Sequence, residues 1–122
     1  MNSSVAFAIE MKARTKLFSL RIIKLFQSLP KTEEARILGK QLLRSATSVG
    51  ANYRADCRAR SDNEYYAKLC IVVEEADESM YWLELIDESN IFKSERITLL
   101  MNEAEEITKI FASSRRKLKL EK

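Results

Sequence analysis

The side chains able to do chemistry in this chain are mostly charged, and their types narrow that chemistry sharply. Histidine is absent, which removes the commonest general base, proton shuttle and metal ligand at once. Di-iron carboxylate bundles take Glu-x-x-His from two helices and are excluded. Cys57 and Cys70 form no Cys-x-x-Cys pair for zinc. Gly39 and Gly50, the only glycines, are too far apart to make a phosphate-cradling loop. Serines and lysines occur, yet nothing marks a nucleophile with its base. The expectation is a non-enzymatic protein with no catalytic, cofactor-binding or metal-ligating set.

Charge is distributed in blocks. Residues 1–60 hold 12 basic and 4 acidic groups, residues 61–108 hold 3 and 13, and residues 109–122 hold 6 and 1, around a net charge of +3. Such blocks either pair inside the fold or offer a basic face to an anionic partner. The basic residues singled out for phosphate contact are Lys12, Lys16, Arg21, Lys24, Arg58 and Arg60, with Arg115, Arg116 and Lys117, and beyond them Lys119, on a cationic tail. The same residues also read as a solvated face. Contact with RNA or DNA would be sequence-tolerant and salt-sensitive.

The acidic run Glu74-Glu75-Ala76-Asp77-Glu78 is a poor cation site, because successive helical residues point in different directions. An antiparallel hairpin turning at Ser61 brings Arg44 level with Glu78, with Glu75 one turn away. An ion pair of Arg44 with Glu78 or Glu75 is the expected use of these charges. The same geometry leaves Cys57 and Cys70 roughly 7.5 Å out of register, whereas a disulfide wants Cα atoms within about 7 Å in total. Reduced, buried thiols are expected.

The elements that must position these residues are helices. The chain has 122 residues, 46% apolar and 32% charged, with two Gly and one Pro. One domain is the natural size, and so few turn-forming residues imply long helices and few connections. No apolar run approaches the ~20 residues of a membrane span. Glu10, Lys12 and Arg14 interrupt the stretch a signal peptide needs, so the chain reads as cytoplasmic.

Apolar residues recur at three- and four-residue spacing almost throughout. Phe18, Ile22, Leu25 and Leu29 mark a first helix over about 5–29, ended by Pro30. Thr32 caps a second over 33–60, with Gly39, Leu42, Ala46, Val49 and Tyr53 on its inner face. Gly39 and Gly50 thin that helix for close approach to a neighbour. Ser61 and Glu64 form a capping box opening a third helix, 62–88, whose heptad reads Tyr66, Leu69, Val73, Ala76, Met80 and Leu83. Ser94 opens a fourth, 94–113, with Ile97, Leu100, Ala104, Ile107 and Phe111 inward and a frayed basic tail at 114–122. Short loops make this an all-α, antiparallel up-down-up-down four-helix bundle. Tyr65, Tyr81, Trp82 and Leu85 widen the apolar stripe of the third helix. They read either as anchors of a homo-oligomer interface or as core edge.

The segments Arg21-Ile22-Ile23-Lys24-Leu25, Leu29-Pro30-Lys31, Gly39 to Arg54 and Glu75-Ala76-Asp77-Glu78, then Tyr81-Trp82-Leu83-Glu84-Leu85, resemble the 23S rRNA intervening-sequence protein family, also labelled "four helix bundle protein". The match runs from about residue 6 to 112, and Gln41 to Asn52 is its most specific part. The resemblance implies a bundle that assembles into a homopentameric ring, with no catalytic residues. A related branch serves diversity-generating retroelements as an accessory protein that binds nucleic acid and the reverse transcriptase. After Asn52 this chain reads Tyr53-Arg54-Ala55-Asp56, where many members carry Ala-Glu-Gly. The expected function is therefore an oligomeric accessory protein contacting RNA or DNA through basic faces of helices 1 and 2. The alternative is an oligomeric scaffold, or a module for an unidentified protein partner, without nucleic acid. No membrane contact is expected.

Overall fold

In the computed structural model, which describes the backbone of residues 2–121 and the side chains of residues 5–118, three short connections separate four helices. They are α1 (Asn2–Ser28), α2 (Glu33–Asp56), α3 (Asp62–Glu88) and α4 (Glu95–Glu121). Each packs on its sequence neighbours, and α4 returns to α1, which closes an antiparallel four-helix bundle.

Local chemistry sets the helix ends. Pro30 lies in the first connection, and Thr32 Oγ1 accepts from the Ala35 amide at 3.3 Å to open α2. Ser61 Oγ accepts from the Glu64 amide at 3.1 Å, while Glu64 Oε1 reaches back to the Arg60 amide at 3.3 Å. Asn90, at φ 63°, takes the left-handed conformation that ends α3. Ser94 Oγ accepts from the Arg96 amide at 3.2 Å before α4.

The core is built from the stripes of α1, α2 and α4 that the spacing predicts: Phe18, Ile22 and Leu25; Leu42, Ala46, Val49 and Tyr53; Ile97, Leu100, Ala104, Ile107 and Phe111. Helix α3 differs. Its buried stripe is Leu69, Val72, Ala76, Ser79, Leu83 and Ile86, whereas Tyr66, Val73 and Met80 of the expected heptad are only half-buried. Ser79 can occupy the core because its hydroxyl donates to the Glu75 carbonyl at 2.8 Å and lies 2.9 Å from Ser45 Oγ. Helix bounds also differ from the expected ones, with α1 beginning at Asn2 rather than 5. Helix α2 stops at Asp56, and α4 runs on to Glu121. Ser114, placed in the frayed tail by the sequence, instead donates to the Ile110 carbonyl at 3.1 Å, and no Gly or Pro stands there to stop the helix.

Candidate anion-binding groove between α1 and α2

Gly50 lies where α2 crosses α1. A Cβ there would sit 3.4 Å from Thr15 Oγ1 and 3.5 Å from the Thr15 carbonyl oxygen. Ser19 fastens the crossing by donating to the Ala46 carbonyl at 3.1 Å. With small residues at Ala13, Gly50, Ala51 and Ala55, the outer side of this seam is a groove of about 810 Å³. Its long side chains are all cations: Lys12 and Lys16 from α1, Arg54 from α2, and Arg58 just beyond it. Lys12 and Lys16 are four residues apart, one helical turn, so α1 presents both on one face, and Arg58 follows Arg54 in the turn after α2. No carboxylate lines the groove, and none of the four cations is in an ion pair among the described residues.

Of the residues singled out by sequence, Lys12, Lys16 and Arg58 thus meet in one concavity. Arg54, not among the residues singled out by sequence, belongs with them. Its signal was available, since Arg54 and Arg58 share the four-residue spacing of Lys12 and Lys16. The other cations stand elsewhere. Arg21 is two turns from Arg14 on the same face of α1, and Arg14 Nε lies 2.7 Å from Glu103 Oε2 on α4, with Nη2 3.2 Å from Glu106. Those two carboxylates hold the Arg14 guanidinium well above its ordinary pKa. Lys24 is exposed outside the groove, and Arg60 is exposed in the α2–α3 connection. Arg115 to Lys117 extend α4 one turn past Phe111, which packs on Tyr53 at 4.7 Å and Phe7 at 6.4 Å between ring centres. They therefore lie at the groove end of the bundle without lining the groove. The side chain of Lys119 is outside the described residues.

The α2–α3 seam handles charge in another way. Arg44 meets Glu78 directly and lies 3.4 Å from Glu75. Trp82 Nε1 donates to the same Glu78 oxygen at 2.9 Å. That indole bond, together with Arg44, holds the Glu78 carboxyl below the usual range, and Arg44 is correspondingly raised. Asp56 ends α2 fully buried, and neither carboxylate oxygen has a hydrogen-bond partner. Burial pushes its pKa up to about 7, against the pull of Lys68, and Glu64 adds to the rise. Burial likewise raises the neighbouring Tyr53 and Tyr65. Cys57 and Cys70 are free and half-buried.

Exposed apolar side chains concentrate on α1, where Val5, Ile9, Leu17 and Leu20 are each more than half exposed. On α3, Tyr81 is 53% exposed with its ring against Trp82. Tyr65 and Trp82 pack against the core, and Leu85 is half-buried. Among the described residues no group of His, Cys, Asp and Glu is arranged to hold a metal, and no helix is long and apolar enough to cross a membrane.

The family model for the 23S rRNA-intervening sequence protein matches residues 8–113, all four helices. The chain belongs to that family. A crystal structure of a protein of unknown function from the S23 ribosomal protein family, from Bacteroides thetaiotaomicron, is 35% identical, with a TM-score of 0.79. The similarity covers 85% of this chain and 96% of that one. No curated protein matches the chain. Family membership and neighbour alike describe a helical bundle and carry no enzymatic description.

Proposed function

We propose that this family member is a non-enzymatic, homo-oligomeric accessory protein that holds the phosphate backbone of single-stranded RNA or DNA in the α1–α2 groove. The observation that carries the reading is the groove itself: Lys12, Lys16, Arg54 and Arg58 converge with no carboxylate among them. Four like charges in one concavity repel each other, and a polyanion relieves that repulsion while releasing its own counterions. The packing distance of two helices, about 8–10 Å between axes, suits one strand better than a duplex. The polar lining is four cations and one serine, which can hold phosphate oxygens with little sequence demand.

Resemblance to a family one of whose related branches binds nucleic acid favours a nucleic-acid partner. Self-assembly, into a pentamer by family resemblance, draws support from the exposed apolar stripe on α1 and from Tyr81, and an oligomer would multiply the groove. That stripe equally favours a second reading, a protein-interaction scaffold without nucleic acid.

Fluorescence anisotropy with labelled single- and double-stranded RNA and DNA, at about 50 and 200 mM salt, separates the two. Four phosphate contacts on a single strand predict a loss of about 50-fold between those salts. Absence of binding at the lower salt overturns the nucleic-acid reading and leaves the scaffold.

A further inference from the structure

The α1–α2 seam carries a second concavity at its other end. Phe26, Gln27, Leu29, Pro30 and Ala35 form its floor, and Lys31, Arg36 and Lys40 surround it, in a volume of about 600 Å³. Again no carboxylate lines it, and none of the three cations is in an ion pair among the described residues. Gly39 makes the close approach here: a Cβ on it would sit 2.9 Å from Leu29 Cδ1 and 3.0 Å from Phe26 Cδ1.

Helical period places both concavities on one side of the bundle. On α1, positions 12, 16, 19, 23 and 26 recur at steps of four and three. On α2, positions 36, 40, 43, 47, 51 and 54 do the same, with Arg58 in the turn that follows. The stretch between the concavities is Ile23, Leu43 and Thr47, which are neutral and half-buried. Neither helix has a single Asp or Glu from Met11 to Leu29 or from Ala35 to Ala55. Glu33 and Glu34, in the first turn of α2 between Lys31 and Ala35, do not line the second concavity. The seam is therefore positive at both ends and acid-free between them, over about 22 Å of helix at 1.5 Å per residue.

We infer that the two concavities are one binding track, occupied along its length by a single strand of nucleic acid, with Lys31, Arg36 and Lys40 as a second phosphate site. This rests on the groove reading above and adds the ligand's form, an extended polyanion rather than a mononucleotide or a lone phosphate. A strand that fills the track falls within the ~4–16 nucleotide footprints of other single-strand binding surfaces.

The test compares the salt dependence of binding for two 5′-phosphorylated single strands, one of about four and one of about twelve nucleotides. Salt slope is the readout because extra binding registers raise a long strand's affinity without changing it. Four contacts give a slope near −2.8 for the short strand, and seven give one near −4.9 for the long strand, at about 0.7 per contact. In the triple variant Lys31→Gln, Arg36→Gln and Lys40→Gln the long strand should fall back to the short-strand slope, with short-strand affinity unchanged. These side chains are exposed, so the variant should fold. Equal slopes for the two lengths overturn the track and leave the groove reading intact. A steep long-strand slope that the triple variant does not change also overturns it, because the extra phosphates are then held elsewhere. If neither strand binds at about 50 mM salt, the groove reading falls and the track with it.

Discussion

Helix α2 faces two neighbours and treats charge oppositely on the two sides. Toward α3, Arg44 is held by Glu75 and Glu78, and the Ser45 and Ser79 hydroxyls meet at 2.9 Å. Toward α1, Arg36, Lys40 and Arg54 have no carboxylate partner among the described residues. Helix α1 repeats the contrast, with Arg14 paired to α4 and Lys12 and Lys16 left open to the groove. The one carboxylate that α2 carries after its first turn, Asp56, is buried among Tyr65, Lys68 and Glu64 of α3 rather than offered to the cations. Net charge alone would not distinguish the two seams. The useful distinction is between cations satisfied within the fold and cations that need an outside partner.

The contrast breaks most visibly if the open cations are removed. The quadruple variant Lys12→Gln, Lys16→Gln, Arg54→Gln and Arg58→Gln should weaken single-strand binding by about 10³-fold at ~50 mM salt. Each of these four side chains is exposed, so the melting curve should hardly move.

A smaller effect is expected on the α3 side, in stability. The carboxyl of Asp56 sits at about 7 in the fold against 3.8 when free. A raised folded-state value means that the native protein binds the proton more tightly. The stability it contributes is full below about pH 4 and is lost as pH rises through about 7. Asp56→Asn should flatten this pH dependence, leaving the variant more stable than the parent at pH 8 by on the order of 2–4 kcal/mol. Denaturant titrations at pH 5 and pH 8 read this directly. Equal pH dependence in parent and variant would show that Asp56 is not buried as an orphan.

The smallest effect belongs to the paired cation. Arg44 is half exposed, so Arg44→Ala should cost only about 0.2–1 kcal/mol of stability. It should leave single-strand affinity unchanged. A loss of affinity comparable to that of the quadruple variant would erase the distinction between the two seams.

Much of this architecture is legible in the sequence, for reasons that particular residues make clear. The stripes of α2 and α4 are narrow, so spacing alone identifies their buried faces. Hairpin counting about Ser61 brings Arg44 level with Glu78, and those side chains do meet. Helix α3 is apolar over a wide arc, so its spacing fits more than one stripe. The choice of Val72 and Ile86 over Val73 and Met80 is made by packing. Burial of Ser79 depends on the Ser45 hydroxyl across the seam, and burial of Asp56 on the α2–α3 corner. Neither has a local signature. For the cations, composition shows how many there are, but helix phase and neighbours decide which share a surface. Lys12, Lys16 and Arg58 share one with Arg54, whereas Arg21 takes the face of Arg14.

The most direct test of the account maps amide chemical shifts while an unlabelled single strand is titrated into the isotopically labelled protein. Perturbations should cluster on α1 and α2 around Lys12, Lys16, Gly50, Arg54 and Arg58, and leave the backbone around Glu75 and Glu78 unmoved. Saturable perturbations centred on α3 or α4, or none at all at low salt, would contradict it.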